Sequence, residues 1–146
     1  MSHESDAFVF FGATGDLAHK KIFPSLHALV RRGVLDVPVI GVAKAGWGLD
    51  ELKQRAHDSI AEHDDAFRHL LSLLRYVDGD YEDPETFAAL KRELGGARRP
   101  LHYLAIPPSL FGTVVTALQA AGCADGARVV VEKPFGRDLR SAQQLN

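Results

Sequence analysis

Short apolar runs alternate along this chain with stretches whose apolar residues recur every three or four positions. Residues 7–11, Ala-Phe-Val-Phe-Phe, contain no polar position. A strand with one solvated face alternates apolar and polar residues, so an unbroken run predicts burial on both faces, as in a parallel sheet. Residues 37–43 and 101–106 are further strand candidates, and 128–132 adds Arg-Val-Val-Val-Glu. A shorter strand is predicted at Tyr76-Val77, so five strands are expected.

The stretches between them carry the helical period. Residues 17–32 place Ile22, Leu26, Leu29 and Val30 on one face. Pro24 lies inside that helix, where it lacks an N–H and clashes with the preceding turn, so a kink or a restart is predicted there. Asp50 is expected to cap a helix faced by Leu52, Ala56 and Ile60, and Phe67, Leu70, Leu71 and Leu74 face a second. Asp83-Pro84 reads as a helix start, a capping side chain followed by proline at the first helical position. Phe87, Leu90 and Leu94 line that helix and Gly95-Gly96 ends it. Phe111, Val114, Val115 and Leu118 face the next helix, closed by Gly122, and Asp138 begins a last one with Leu139, Ala142 and Leu145. Strands alternating with helices imply an α/β fold, a doubly wound parallel sheet with helices on both faces. A full sheet of this type has six strands. The chain is therefore read as a single domain, 1–146, the N-terminal part of a longer protein whose sixth strand follows.

Composition changes this picture little. A net charge of −2 gives no reason to expect nucleic acid or a membrane surface as partner. The first six residues are polar, unlike a signal peptide, and no apolar run is long enough to span a bilayer. The single Cys123 excludes an internal disulfide, so a reducing, cytoplasmic setting is expected. The histidines show no HxxxH or HExxH spacing, and no metal is expected. An open sheet edge beside the fifth strand predicts self-association, hence a homo-oligomer.

The chemistry concentrates after the first strand. Phe11, Gly12, Ala13, Thr14, Gly15, Asp16, Leu17 and Ala18 lead from strand to helix with small residues spaced GxxGxxA. The first glycine permits a tight turn, the second leaves room for a pyrophosphate, and the third small residue lets helix pack on strand. The helix start offers free N–H groups to an anion. This is the signature of a Rossmann-type dinucleotide-binding domain. The Thr14 hydroxyl can donate to a phosphate. Asp16 reads better as a helix cap than as a ligand.

After the second strand no acidic residue stands ready for a ribose 2′-hydroxyl, whereas Lys44 suits a 2′-phosphate. This favours NADP, with NAD possible. Asp80 and Tyr81 lie where adenine is expected, or are simply a turn and an edge aromatic. Pro107 and Pro108 end the fourth strand at the ligand-bearing edge, or only terminate it. Phe111 packs either on the coenzyme or in the core. Lys133, restrained by Pro134, can hold an anionic substrate beside the cofactor. Lys20 and Lys21 add positive potential or form a solvated helix face.

The blocks GATGDLAHKK, GVAK, LAIPP and VVVEKPFGRDL resemble the coenzyme domain of glucose-6-phosphate dehydrogenases, in register from Phe8 to Asn146. The resemblance implies oxidation of glucose 6-phosphate to the 6-phosphogluconolactone, with NADP or NAD as hydride acceptor. It implies that residues 12–18 hold the pyrophosphate and that Lys44 stands where the family uses a basic residue, usually Arg. It places Asp80 and Tyr81 near adenine, and Pro107, Pro108 and Phe111 near the nicotinamide half. Lys133 would touch cofactor and substrate, and Lys21 would reach toward the substrate. Lys cannot reproduce the bidentate contact of Arg, and His19 replaces a usual Lys or Arg. The family's catalytic His and its phosphate-binding segment lie beyond residue 146, so these residues alone are expected to bind nucleotide without turnover. A stand-alone nucleotide-binding module is the alternative. A sugar-nucleotide epimerase or reductase would bring a YxxxK pair, and none occurs.

Overall fold

A computed structural model describes residues 5–131. The order of elements is β1 (Ala7–Phe11), a π-helical segment (Ala18–Ile22), α1 (Phe23–Arg31), β2 (Val39–Ala43), α2 (Leu49–Ser59), α3 (Asp65–Leu73) and β3 (Leu74–Asp78). There follow α4 (Pro84–Leu94), β4 (Pro100–Leu104), a short 3-10 turn (Pro108–Leu110), α5 (Phe111–Ala120) and β5 (Arg128–Val131). The end of the fifth predicted strand at Glu132 and the last predicted helix lie outside the described residues.

Every pairing is parallel, and the sheet order is β3-β2-β1-β4-β5. The unbroken apolar run of β1 divides by parity between two cores. Phe10 enters one cluster with Phe23, Leu26, Leu52 and Leu70 from α1, α2 and α3. Ala7, Val9 and Phe11 enter the other with Phe87, Leu90, Val114 and Leu118 from α4 and α5. Helices therefore cover both faces, as the absence of polar positions in β1 required.

Pro24 acts as expected, by a restart. The segment before it widens to π geometry, with the Phe23 N–H reaching the Ala18 carbonyl, and α1 begins anew at Phe23. Asp83 caps α4 by accepting from the Glu85 N–H at 2.9 Å, with Pro84 at the first helical position. Asp50 does not cap α2. That place belongs to Gly48, whose N–H donates to the Glu51 carboxylate at 2.7 Å. The third strand is longer than Tyr76-Val77, because pairing of Leu74 through Asp78 with Val39 through Ala43 extends it.

His102 of β4 is completely buried, and its Nε2–H donates to the Cys123 carbonyl at 2.9 Å. Burial, only partly offset by that bond, holds its pKa below the usual 6.5. An unfolded chain takes up this proton near pH 6.5, so below that pH the unfolded state binds more protons than the fold. The contribution to stability is thus complete above about pH 6.5 and declines as the pH falls further. Urea midpoints measured between about pH 8 and pH 5.5 should drop on acidification, and by less in His102→Gln. Equal slopes would refute the assignment.

Candidate nucleotide-binding site

The chain runs outward from β1 to β2 and β3, then returns to β4 on the opposite side of β1. In open parallel sheets ligands sit at such a reversal, beyond the carboxyl ends of the strands. The glycine turn stands there. Gly12 has φ +83°, and a Cβ on it would lie 2.1 Å from the Ala105 carbonyl oxygen at the end of β4. The N–H groups of Gly12 and Ala13 both reach the Val42 carbonyl, at 3.0 and 3.2 Å, and Gly15 N–H closes onto the Gly12 carbonyl at 3.0 Å. Ala13 is buried against β2 at Gly41, where a side chain would come within 2.8 Å of the Ala13 Cβ.

The first helical bond runs from the His19 N–H to the Gly15 carbonyl, at 3.2 Å. Gly15 is therefore the cap and Asp16 the first helical residue. The expectation that Asp16 caps the helix is corrected: its side chain is exposed and lies 4.0 Å from Arg55 of α2. The N–H groups of Thr14, Asp16 and Leu17 have no acceptor among the described residues. Ala18 is buried, Leu17 packs against the α1 core, and Phe11 fills the core beneath. Gly15 is exposed, its φ is unexceptional, and a Cβ there would meet only the Gly12 carbonyl at an ordinary 3.4 Å. The packing of the protein demands a glycine at 12 and leaves 15 open.

The loops after β2 and β3 meet beside this turn. Asp78 accepts from the N–H groups of Ala45, Gly46 and Trp47 at 2.9, 3.0 and 3.4 Å, and from the Tyr76 hydroxyl at 2.5 Å. Burial raises its carboxyl pKa, but the Tyr76 hydroxyl and the three amides outweigh it and hold the group below its ordinary range. Burial and the neighbouring Asp78 push the Tyr76 phenol up. Lys44 donates to Asp80 Oδ2 at 3.0 Å, and the Glu82 N–H donates to Asp80 Oδ1 at 2.9 Å. That bond and pair lower the Asp80 pKa, and the pair raises that of Lys44. The Tyr81 oxygen accepts from the Gly12 N–H at 2.9 Å and lies 3.3 Å from the Val42 carbonyl, with its ring edge-on to Phe11. The ring thus braces the glycine turn.

At the end of β4, Pro107 and Pro108 are exposed, and Phe111 is half-buried against the α4–α5 core. Lys20 and Lys21 are exposed on the π-helical segment. Lys133, with Glu132 and Pro134, lies outside the described residues. The glycine turn, Lys44, Asp80 and Tyr81 are brought together, and Pro107 and Pro108 share the same rim. Sequence reasoning missed Asp78 and Gly41. A lone glycine inside an apolar strand was a usable signal for Gly41, whereas nothing local marked Asp78 as the clasp of another loop.

A family model described as "Glucose-6-phosphate dehydrogenase, NAD binding domain" matches residues 9–146. The chain is 44% identical over 146 residues to glucose-6-phosphate 1-dehydrogenase 1 of Mycobacterium tuberculosis, covering 97% of this chain and 31% of that protein. A crystal structure of glucose-6-phosphate 1-dehydrogenase from Mycobacterium avium superposes with a TM-score of 0.85 at 44% identity, covering 98% of this chain and 33% of the other. A glucose-6-phosphate dehydrogenase in complex with its substrate glucose-6-phosphate gives 0.79 at 33% identity, covering 97% and 33%. The chain thus spans about a third of the length of the curated relatives it matches.

Proposed function

Because this chain belongs to the glucose-6-phosphate dehydrogenase family, as its N-terminal NAD(P)-binding domain, we propose that it holds NADP, and less tightly NAD, for the oxidation of glucose 6-phosphate to the 6-phosphogluconolactone. The bound coenzyme supplies the hydride acceptor. Thr14, Asp16 and Leu17 offer their unpaired N–H groups to the diphosphate, over a surface that Gly15 leaves bare. Lys44 offers a cation to the 2′-phosphate. Asp80 and Tyr81 lie on the adenine side, and Pro107, Pro108 and Phe111 on the nicotinamide side. Lys21 is assigned to the sugar phosphate, and Lys133 to both the coenzyme and the sugar phosphate. Gly15 is the observation that carries this reading, because a residue the fold does not need as glycine is left bare beside free amides. The fit does not depend on a metal or a second cofactor.

Removing hydride from a sugar hydroxyl also requires a base for its proton. His102 is sealed in the core, and the His19 Nδ1 is buried in the π-helical segment. His27, His57, His63 and His69 belong to α1, α2, the α2–α3 connection and α3, not to the loops after β2, β3 and β4 that form the rim. The 146-residue chain should therefore bind NADP with micromolar or weaker affinity, and form no NADPH when glucose 6-phosphate is added. Calorimetric titration followed by a fluorescence assay for NADPH checks both. Absence of nucleotide binding would refute the site, and turnover by a pure sample would refute the need for a base elsewhere. The reading also carries a cytoplasmic setting, no nucleic-acid or membrane partner, and self-association through the β5 edge, where Val129, Val130 and Val131 are exposed.

A further inference from the structure

We propose that Asp80 is a specificity-determining residue that narrows the preference for NADP over NAD by sharing Lys44 with the coenzyme. The inference rests on the nucleotide-binding reading above and deepens it. β2 and β3 are neighbours in register, Ala43 opposite Asp78. The residue after one strand and the second after the other therefore meet at the carboxyl edge, and there Lys44 and Asp80 form their 3.0 Å ion pair.

The pair is held on both sides. Asp80 is fixed by the Glu82 N–H on one oxygen, which leaves the other for Lys44. The Lys44 loop is clasped by Asp78 through the amides of Ala45, Gly46 and Trp47, and the Gly79 N–H donates to the Ala43 carbonyl at 2.9 Å. A side chain at Gly79 would have to displace the Thr86 side chain of α4, whose hydroxyl would lie 2.2 Å from its Cβ. Two loops stitched together in this way keep the carboxylate beside the ammonium.

The chemistry follows from what each coenzyme presents. A free ribose 2′-hydroxyl is ordinarily recognised by a carboxylate and a 2′-phosphate by a cation. Here both groups stand at one place, contributed by adjacent strands. A 2′-phosphate gains Lys44, but shares it with Asp80 and meets the carboxylate's negative charge. A 2′-hydroxyl can donate to Asp80 instead. Both side chains remain largely solvated, with 71% of Lys44 and 47% of Asp80 exposed. Screening therefore limits the effect to a modest factor.

The test is calorimetric titration of the 146-residue chain and its variants with NADP and NAD at low salt. 2′,5′-ADP and 5′-AMP serve as probes of the 2′-phosphate alone. Asp80→Asn keeps an acceptor for the Glu82 N–H and removes the charge. It should raise the ratio of NADP to NAD affinity about three- to tenfold, with most of the gain in NADP, and the gain should shrink as salt is added. Lys44→Ala should lower that ratio below the parent's. A merely structural pair would move the unfolding temperature and leave the ratio alone. Should Asp80→Asn fail to fold, Asp80→Ser gives the same readout. If the parent binds both nucleotides and neither Asp80 variant changes the ratio, the role of Asp80 is refuted while the site stands. If the parent binds neither nucleotide, the nucleotide-binding reading falls and this inference with it.

Discussion

Gly15→Val should abolish NADP binding and leave the folded chain nearly as stable as before. The backbone at Gly15 lies outside the left-handed region, and a Cβ there would touch only the Gly12 carbonyl, at 3.4 Å. The residue is exposed, so its added methyl groups displace nothing from the core. Replacing a glycine cap by a residue poor at that position costs about 1 kcal/mol. The same branched side chain would stand over the amides of Thr14, Asp16 and Leu17. Each hydrogen bond from such an amide to a charged phosphate contributes about 1.5–3 kcal/mol. Losing two of them weakens binding by a factor of about a hundred or more. Calorimetry with NADP and a thermal melt on one preparation settle the matter. Binding that survives would remove the diphosphate from this turn.

Gly12→Ala should do the opposite, unfolding the chain or lowering its melting temperature by more than about 10 °C. At φ +83° an L side chain is strained, at a cost of about 1–2 kcal/mol. The larger penalty is steric, since the Cβ would sit 2.1 Å from the Ala105 carbonyl oxygen. That oxygen cannot easily retreat, because the Ala105 N–H holds the Phe11 carbonyl at 3.1 Å and continues the β1–β4 ladder. A total near 4 kcal/mol would be a large part of the stability of an ordinary domain. An unchanged denaturant midpoint would show that the turn relaxes without cost. On these two predictions the glycines of one turn separate: loss at 12 would be read in the fold, and loss at 15 in the ligand.

Much of the architecture was legible because it depends on neighbours along the chain. Parity within five apolar residues determined that β1 faces two cores. Pro24 required a kink or a restart through its missing N–H, and Asp83-Pro84 announced the start of α4 through its own side chain and ring. The spacing of Gly12, Gly15 and Ala18 located the turn before any contact was known. Where two local rules competed, sequence reasoning chose wrongly. Asp50 and Asp16 have the side chains of caps, yet Gly48 and Gly15 hold those positions. At Gly48 the cap is completed by Glu51 reaching back to its N–H, a bond that a search for capping side chains overlooks.

The order β3-β2-β1-β4-β5 decided the rest. It placed the loops after β2 and β3 side by side, so that Asp78 could clasp Ala45, Gly46 and Trp47, and Asp80 could take Lys44. It carried Tyr81, 69 residues along the chain, onto the Gly12 N–H. Periodicity and turn chemistry reach only a few residues, and they located the strands, the helices and the glycine turn. Partners more than thirty residues apart are chosen by strand register, and so only the folded sheet determined which charges share the rim of the site.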